Sequence, residues 1–134
     1  MKGVVSRPAA DGGRELSTAR WGMLSPVFAL RGRNSDSGVT NVRNVTSPHW
    51  RRWLGVECRC AVPLASFSEF NKAEGVDIWF ALDESRPLAF FAGTWTRWKS
   101  VRKVKEGETE NDFFAFLTTE QNGGSRPSIR RRCQ

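Results

Sequence analysis

The sequence predicts an α+β domain in which a curled, barrel-like antiparallel sheet carries one short helix. Three observations lead there. Short runs rich in β-branched and aromatic residues recur along the chain, separated by Gly, Asp and Ser breaks. A single stretch, residues 47–55, has both helix start and helix stop signals. And 134 residues supply one hydrophobic core, with no room for a second.

The elements follow in order. Val4-Val5 belongs to an opening strand, and Asp11-Gly12-Gly13 is a turn signal. Residues 14–24 read as the returning strand of a hairpin. Residues 31–38 are polar and contain glycine, so they form a loop. Val39 to Val45 alternates, which places Val39, Asn41, Arg43 and Val45 on one strand face. The helix comes next. Ser47 is its N-cap, Pro48 suits the first helical position and Gly55 the position after its end. Trp50, Trp53 and Leu54 then form one apolar stripe, and so short a helix relies on packing. From there the chain is strands: Cys58 to Leu64 (continued after a bend by Ser66 to Phe70), Val76 to Leu82, Pro87 to Trp95, and Phe113 to Thr118. Asp83-Glu84-Ser85-Arg86 is a turn, and the charged stretch 99–112 reads as an exposed connection.

Composition bounds the partners. Hydrophobic residues make up 39% and charged residues 26%, which excludes a wholly disordered chain. No apolar run approaches the roughly 20 residues of a membrane span, and no signal peptide opens the sequence. Three cysteines cannot all pair with one another, so a reducing cytoplasm is expected rather than a secreted disulfide scaffold. The sequon Asn44-Val45-Thr46 has no meaning in that compartment. The net charge of +7 favours a polyanion as partner. Residues 21–60 hold the peak, with six basic and two acidic side chains. All six are arginines: Arg31, Arg33, Arg43, Arg51, Arg52 and Arg59. Trp21, Phe28, Trp50 and Trp53 lie among them, the composition either of a single-strand nucleic-acid groove or of a solvated basic face beside core tryptophans.

Candidate chemistry is sparse. Cys58-Arg59-Cys60 places two thiols on one strand face, but a zinc site needs about four ligands, so buried packing is expected and no metal. Glu69 lies between Phe67 and Phe70, where a carboxyl acts as general acid or base if apolar surroundings raise its pKa, or simply points to water from a strand edge. Asn41 and Arg43 share a face, either to orient a reacting group and hold a phosphate or as the polar edge of a half-exposed strand. No phosphate loop, nucleophile elbow or dinucleotide fingerprint is present, and no cofactor is expected.

Several segments taken together resemble the SRAP family, the SOS response-associated peptidases or abasic-site processing proteins. These segments are Arg20-Trp21-Gly22-Met23, Asn41-Val42-Arg43 and Ser47-Pro48, then Arg59-Cys60-Ala61-Val62-Pro63 running into Ser66-Phe67-Ser68-Glu69-Phe70. Pro87-Leu88-Ala89-Phe90-Phe91-Ala92-Gly93-Thr94-Trp95 and Leu117-Thr118-Thr119-Glu120-Gln121-Asn122 complete the set. The resemblance runs from about residue 4 to 122. It implies covalent capture of abasic sites in single-stranded DNA during the DNA-damage (SOS) response, with an associated self-processing peptidase activity. In the family an N-terminal cysteine provides the nucleophile. Its α-amine, with a pKa near about 8, attacks the ring-opened aldehyde, and its thiol closes a thiazolidine. The resemblance maps the family's orienting asparagine onto Asn41 and its phosphate-binding arginine onto Arg43. It maps the proton-shuttling glutamate onto Glu69, and a tryptophan near the DNA onto Trp21. It implies a monomer acting on single-stranded DNA in the cytoplasm, at the nucleoid, without membrane or small-molecule cofactor.

The sequence also departs from the family pattern. Met1 is followed by Lys2, not cysteine, so the nucleophile and the first strands are expected to be missing, leaving an incomplete domain over 1–122. Past Asn122 the family continues toward P-I-H-P-K-A-M-P, but here the chain reads Pro127-Ser128-Ile129-Arg130-Arg131-Arg132-Cys133. One DNA segment, CCC ATC CAT CCG AAG GCG ATG CCG, encodes the first string and, read one base later, the second. Residues 123–134 are therefore expected to be a frameshifted, disordered basic tail lacking the family histidine, which His49 does not replace. On this reading any surviving role is non-catalytic binding of single-stranded DNA, or none. Unpaired sheet edges and marginal stability would follow.

Overall fold

The computed structural model describes residues 1–119. They divide into one unit of Met1–Val62 with Phe91–Thr119, and another that includes Pro63–Phe90. The strands are β1 (Lys2–Pro8), β2 (Arg14–Trp21), β3 (Asn41–Val42), β4 (Arg59–Leu64), β5 (Phe67–Asn71), β6 (Val76–Phe80), β7 (Ala89–Val101) and β8 (Glu108–Leu117). The predicted opening hairpin forms, with Lys2 opposite Arg20 and Pro8 opposite Arg14. Its turn works because Gly12 adopts a φ of 84° and the Asp11 carboxylate accepts the Gly13 N–H at 2.8 Å.

In the first unit β2, β1, β4, β7 and β8 follow edge to edge, and β2 returns to β8 to close a ring. Closure is parallel, Arg20 beside Phe113 and Trp21 beside Phe114, so the ring is not purely antiparallel. Inward positions alternate along each strand. Val5, Ala19, Cys60, Val62 and Phe114 fill the interior, with Trp21, Phe91, Trp95 and Phe116 packed against them. Gly93 is required there, since a Cβ would stand 2.9 Å from both Cys60 Sγ and the Ala115 carbonyl oxygen. One end of the interior is polar. The Asp112 carboxylate accepts from Arg7 Nη1 and Arg97 Nε, each at 2.8 Å, and the Arg7 guanidinium lies 4.1 Å over the Trp95 ring.

A second core lies on the outer face of β8. Met23, Leu24, Val42, Trp50 and Trp53 pack there on Phe113 and Ala115. β8 is therefore covered on both faces, which is why Phe113-Phe114-Ala115-Phe116-Leu117 is apolar without alternation. The segment between β2 and β3 is braced by charge. Arg102 is buried and donates to the Asp36 and Gly22 carbonyls at 3.1 and 2.6 Å. The Asp36 carboxylate lies 3.7 Å from Arg102 Nη1 and accepts from Ser25 N, Ser25 Oγ and Gly38 N at 3.0, 2.6 and 2.8 Å.

In the second unit β5 and β6 form an antiparallel hairpin that pairs Phe67 with Phe80 and Glu69 with Ile78. The two phenyl rings stack at 5.2 Å. Asn71 closes the turn through its Oδ1 to the Ala73 N–H and its carbonyl to the Gly75 N–H. The expected turn after Leu82 is also formed, with the Arg86 N–H on the Asp83 carbonyl at 3.1 Å.

Four expectations are corrected. The predicted helix over 47–55 is absent, and no α-helix occurs among the described residues. The backbone bonds there span three residues: Trp50 N to Ser47 O, Trp53 N to Trp50 O, and Leu54 N to Arg51 O. Residues three apart eclipse in such 3-10 turns, which sends Trp50 and Trp53 into the core together. The Val39 to Val45 strand shrinks to Asn41–Val42, with Val39 bridging Met23 instead. The connection expected over 99–112 is shorter, 102–107: Lys99–Val101 ends β7 and Glu108–Asp112 begins β8. Opposite charges face each other across that ladder, Arg97 with Asp112 and Lys99 with Glu110. Cys58 ends a 3-10 turn, so only Cys60 of the pair lies on the strand. The tail 123–134, with Cys133, lies outside the described residues.

Candidate functional site

The edge of β8 opposite β7 is shared. β2 occupies it as far as Phe114, and β3 takes over at Phe116 and Leu117. Between these the chain leaves at Gly22 and returns at Thr40. Two segments about twenty residues apart in sequence thus become consecutive along one strand edge. The Thr40 carbonyl joins them, accepting the Phe116 N–H at 3.0 Å and the Trp21 indole N–H at 3.1 Å.

Side-chain direction follows from this register. Asn41 stands opposite Phe116, so its side chain shares the sheet face of Phe116, while Val42 points to the outer core. Trp21 is on that same face, with its ring 5.3 Å from that of Phe116. Phe91 lies 5.2 Å beyond Phe116. The result is an aromatic wall at one mouth of the ring, with the exposed Asn41 amide at its rim. Among the described residues the Asn41 side chain makes one long bond, 3.4 Å to Thr40 Oγ1, which leaves most of its donor and acceptor capacity for a ligand. Phe116 and Phe91 read in the sequence only as strand residues. Their alternate spacing with Phe114 and Gly93 was the signal that they face inward.

Arg43 lies one residue past β3 and is exposed. Among the described residues it has no ion pair, and the same holds for Arg31, Arg33, Arg51, Arg52 and Arg59. Unpaired surface arginines have their full charge available for phosphates. The interleaved aromatics divide. Trp50 and Trp53 are core residues, Phe28 is 72% exposed, and Trp21 is half-buried at the mouth. Glu69 belongs to the second unit. It is exposed on β5, on the hairpin face of Phe67, Ile78 and Phe80, with Phe70 on the other face. The structure thus brings together Trp21 and Asn41, with Arg43 two residues on in the chain, and holds Glu69 on its own hairpin.

The described thiols are poor nucleophiles. Burial pushes Cys60 up to about 12 against the opposing charge of Arg14. Burial and then the Glu57 carboxylate raise Cys58. No cluster of three or more His, Cys, Asp or Glu side chains suited to a metal occurs among the described residues, and no described helix is long and apolar enough to cross a membrane.

A family model described as SOS response associated peptidase (SRAP) matches residues 2–133. No curated protein sequence matches the chain. Among solved structures, a Bordetella bronchiseptica structural-genomics protein superposes with a TM-score of 0.56 at 18% identity, covering 98% of this chain and 66% of its own. A protein from Bacteroides thetaiotaomicron superposes with a TM-score of 0.59 at 20% identity, covering 91% of this chain. The chain spans 51% of the length of that second protein.

Proposed function

We propose, from the premise that this chain belongs to the SOS response associated peptidase family, that it acts in the DNA-damage response by binding abasic sites in single-stranded DNA at the mouth formed by Trp21, Asn41 and Arg43. One observation supports this above the others: the Thr40 carbonyl ties Trp21 to the β8 edge from which Asn41 projects. An abasic site lacks its base, so a flat ring beside it can stack on the neighbouring base. The Asn41 amide, with donor and acceptor side by side, suits the hydroxyl and aldehyde oxygens of the opened sugar. Arg43 holds the adjoining phosphate through its planar fork. Glu69 is the proton carrier of this reading.

The family's covalent step needs a cysteine with a free α-amine. The cysteines of this sequence stand at 58, 60 and 133, and the step is assigned to none of them. The function proposed for these residues is therefore recognition, with crosslinking as the outcome to be measured. Abasic single-stranded DNA is incubated with the protein and run on a denaturing gel. Binding that salt weakens, with no shifted band after heating, is the expected result. A heat-stable band would show that covalent capture is retained, and peptidase and lyase-like chemistry would then be assayed separately. Equal affinity for abasic and intact strands would refute abasic-site recognition.

A further inference from the structure

A groove of about 360 Å³ lies on the first unit, away from the Trp21 mouth, between the Leu24–Asp36 segment, the His49–Trp53 turn and the end of β7. Its chemistry is two-sided. Arg33 and Arg52 line it, both exposed and neither ion-paired among the described residues. The acid at its base, Asp36, is already committed to Ser25, Gly38 and Arg102, so it does not neutralise them. The other component is aromatic. Trp98 is 42% exposed, edge-on to the buried Trp53 at 6.3 Å. The Arg52 guanidinium lies 4.7 Å from the Trp53 ring and 6.0 Å from that of Trp98. Ser100 Oγ also lines the groove and is buried without a partner among the described residues.

We infer that this groove is a second nucleotide subsite, which takes a base on the exposed Trp98 ring and a phosphate on Arg33 and Arg52. It rests on the reading of the protein as a single-stranded DNA binder and extends that reading. Register keeps this groove apart from the mouth. Trp98 faces Asn111 and Gly93 faces Phe116, five residues along the β7–β8 ladder, and the odd number puts Trp98 on the opposite sheet face from Phe116. An acidic peptide would satisfy the cations but would have no flat ring to set against Trp98.

The test uses the full chain and an oligothymidylate of about 12 nucleotides, read by fluorescence anisotropy. Trp98→Ala is expected to weaken binding about 5-fold or more, the cost of one lost stacking contact. Arg33→Ala sits on an exposed position, keeps the core intact and is expected to reduce the salt slope by about 0.7. In parallel, thymidine monophosphate is titrated while the indole N–H resonance of Trp98, assigned through Trp98→Phe, is followed by NMR. If both variants bind as tightly as the parent while Arg43→Ala weakens binding, the groove is refuted and the mouth stands. If no oligonucleotide binds but the mononucleotide moves the Trp98 resonance, the nucleotide site stands and the single-strand reading falls. Poly-glutamate displacing the oligonucleotide as well as thymidylate does would show an unselective anion groove and overturn the proposal.

Discussion

Replacing Asp36 by alanine should damage this protein more than any surface acid can. The carboxylate is buried at 5% exposure and accepts three hydrogen bonds, two of them from the backbone N–H groups of Ser25 and Gly38. Alanine leaves those donors without an acceptor, at about 1 kcal/mol or more each. It also leaves the Arg102 charge, itself 8% exposed, with two carbonyls and no counterion. Breaking a buried pair from one side costs about 3–5 kcal/mol, and the two estimates agree in scale. With a urea m-value of about 1.5 kcal/mol/M, the unfolding midpoint should fall by about 2–3 M. Asp36→Asn keeps an acceptor oxygen and should cost less, which separates lost hydrogen bonds from lost charge. The assay is urea unfolding followed by tryptophan fluorescence, with the midpoint compared at unchanged m. A midpoint shift below about 0.5 M would refute the brace.

The same residue sets a pH dependence. Burial pushes the Asp36 carboxyl up, but hydrogen bonds from Ser25 and Gly38 and the Arg102 charge outweigh this and hold it below the ordinary range. A depressed folded-state pKa means that the stabilisation is complete above the unfolded value, near about 3.9, and is lost as pH falls through the folded one. Asp112 behaves alike: burial raises it, while Arg97 and Arg7 bring it down. The wild type should hold its midpoint from neutral pH to about 4.5 and lose it below, and Asp36→Ala should flatten part of that acid limb.

Thr94→Val removes the hydroxyl that donates to the Trp53 carbonyl beneath the outer core, and should cost about 1–3 kcal/mol in the same urea assay. Cys60, with its thiol pushed to about 12, should be alkylated at pH 8 at least about 100-fold more slowly in the folded than in the unfolded protein, read by peptide mass spectrometry. Its raised pKa should also erode stability as pH climbs from about 9 toward about 12, since the unfolded chain releases that proton first. Arg43→Ala should weaken single-strand binding at every sequence alike and reduce the salt slope by about 0.7, measured by anisotropy across a salt series.

How much of this was legible in the chain depended on whether the signal was local. The first hairpin was, because Asp11-Gly12-Gly13 dictates its own turn. So was the run Phe113–Leu117, which only a doubly covered strand accommodates. The helix at Ser47 was misread because Trp50 and Trp53 at a spacing of three suit a 3-10 turn as well as an α-helix, and the stretch is too short for periodicity to decide. The charges of 99–112 resembled a solvated loop because nothing in one strand reveals that Arg97 faces Asp112 and Lys99 faces Glu110. Likewise Asn41 and Arg43 were legible as a pair on one short segment, and Trp21 separately. The common ground of Trp21 and Asn41 on the β8 edge was not, since it arises from parallel pairings between distant segments.

That pairing also explains why an acid–base pair distant from the mouth should matter to binding. The excursion from Gly22 to Thr40 must leave and rejoin the same strand edge, and its span is fixed at two points: the Met23–Val39 bridge and the Asp36–Arg102 brace. Gly38 sits where these meet, at a φ of 86°, with a Cβ position 2.3 Å from Arg102 Nη1, so no side chain fits there. A segment held this way presents the Thr40 carbonyl and the Asn41 amide already in place, and binding then orders few groups. Asp36→Ala should accordingly weaken single-strand binding under conditions where the protein is still folded. Arg43→Ala should weaken it with the urea midpoint unchanged. If Asp36→Ala lowers the midpoint and leaves affinity intact, the brace supports only the core, and the mouth is ordered by the β8 ladder alone.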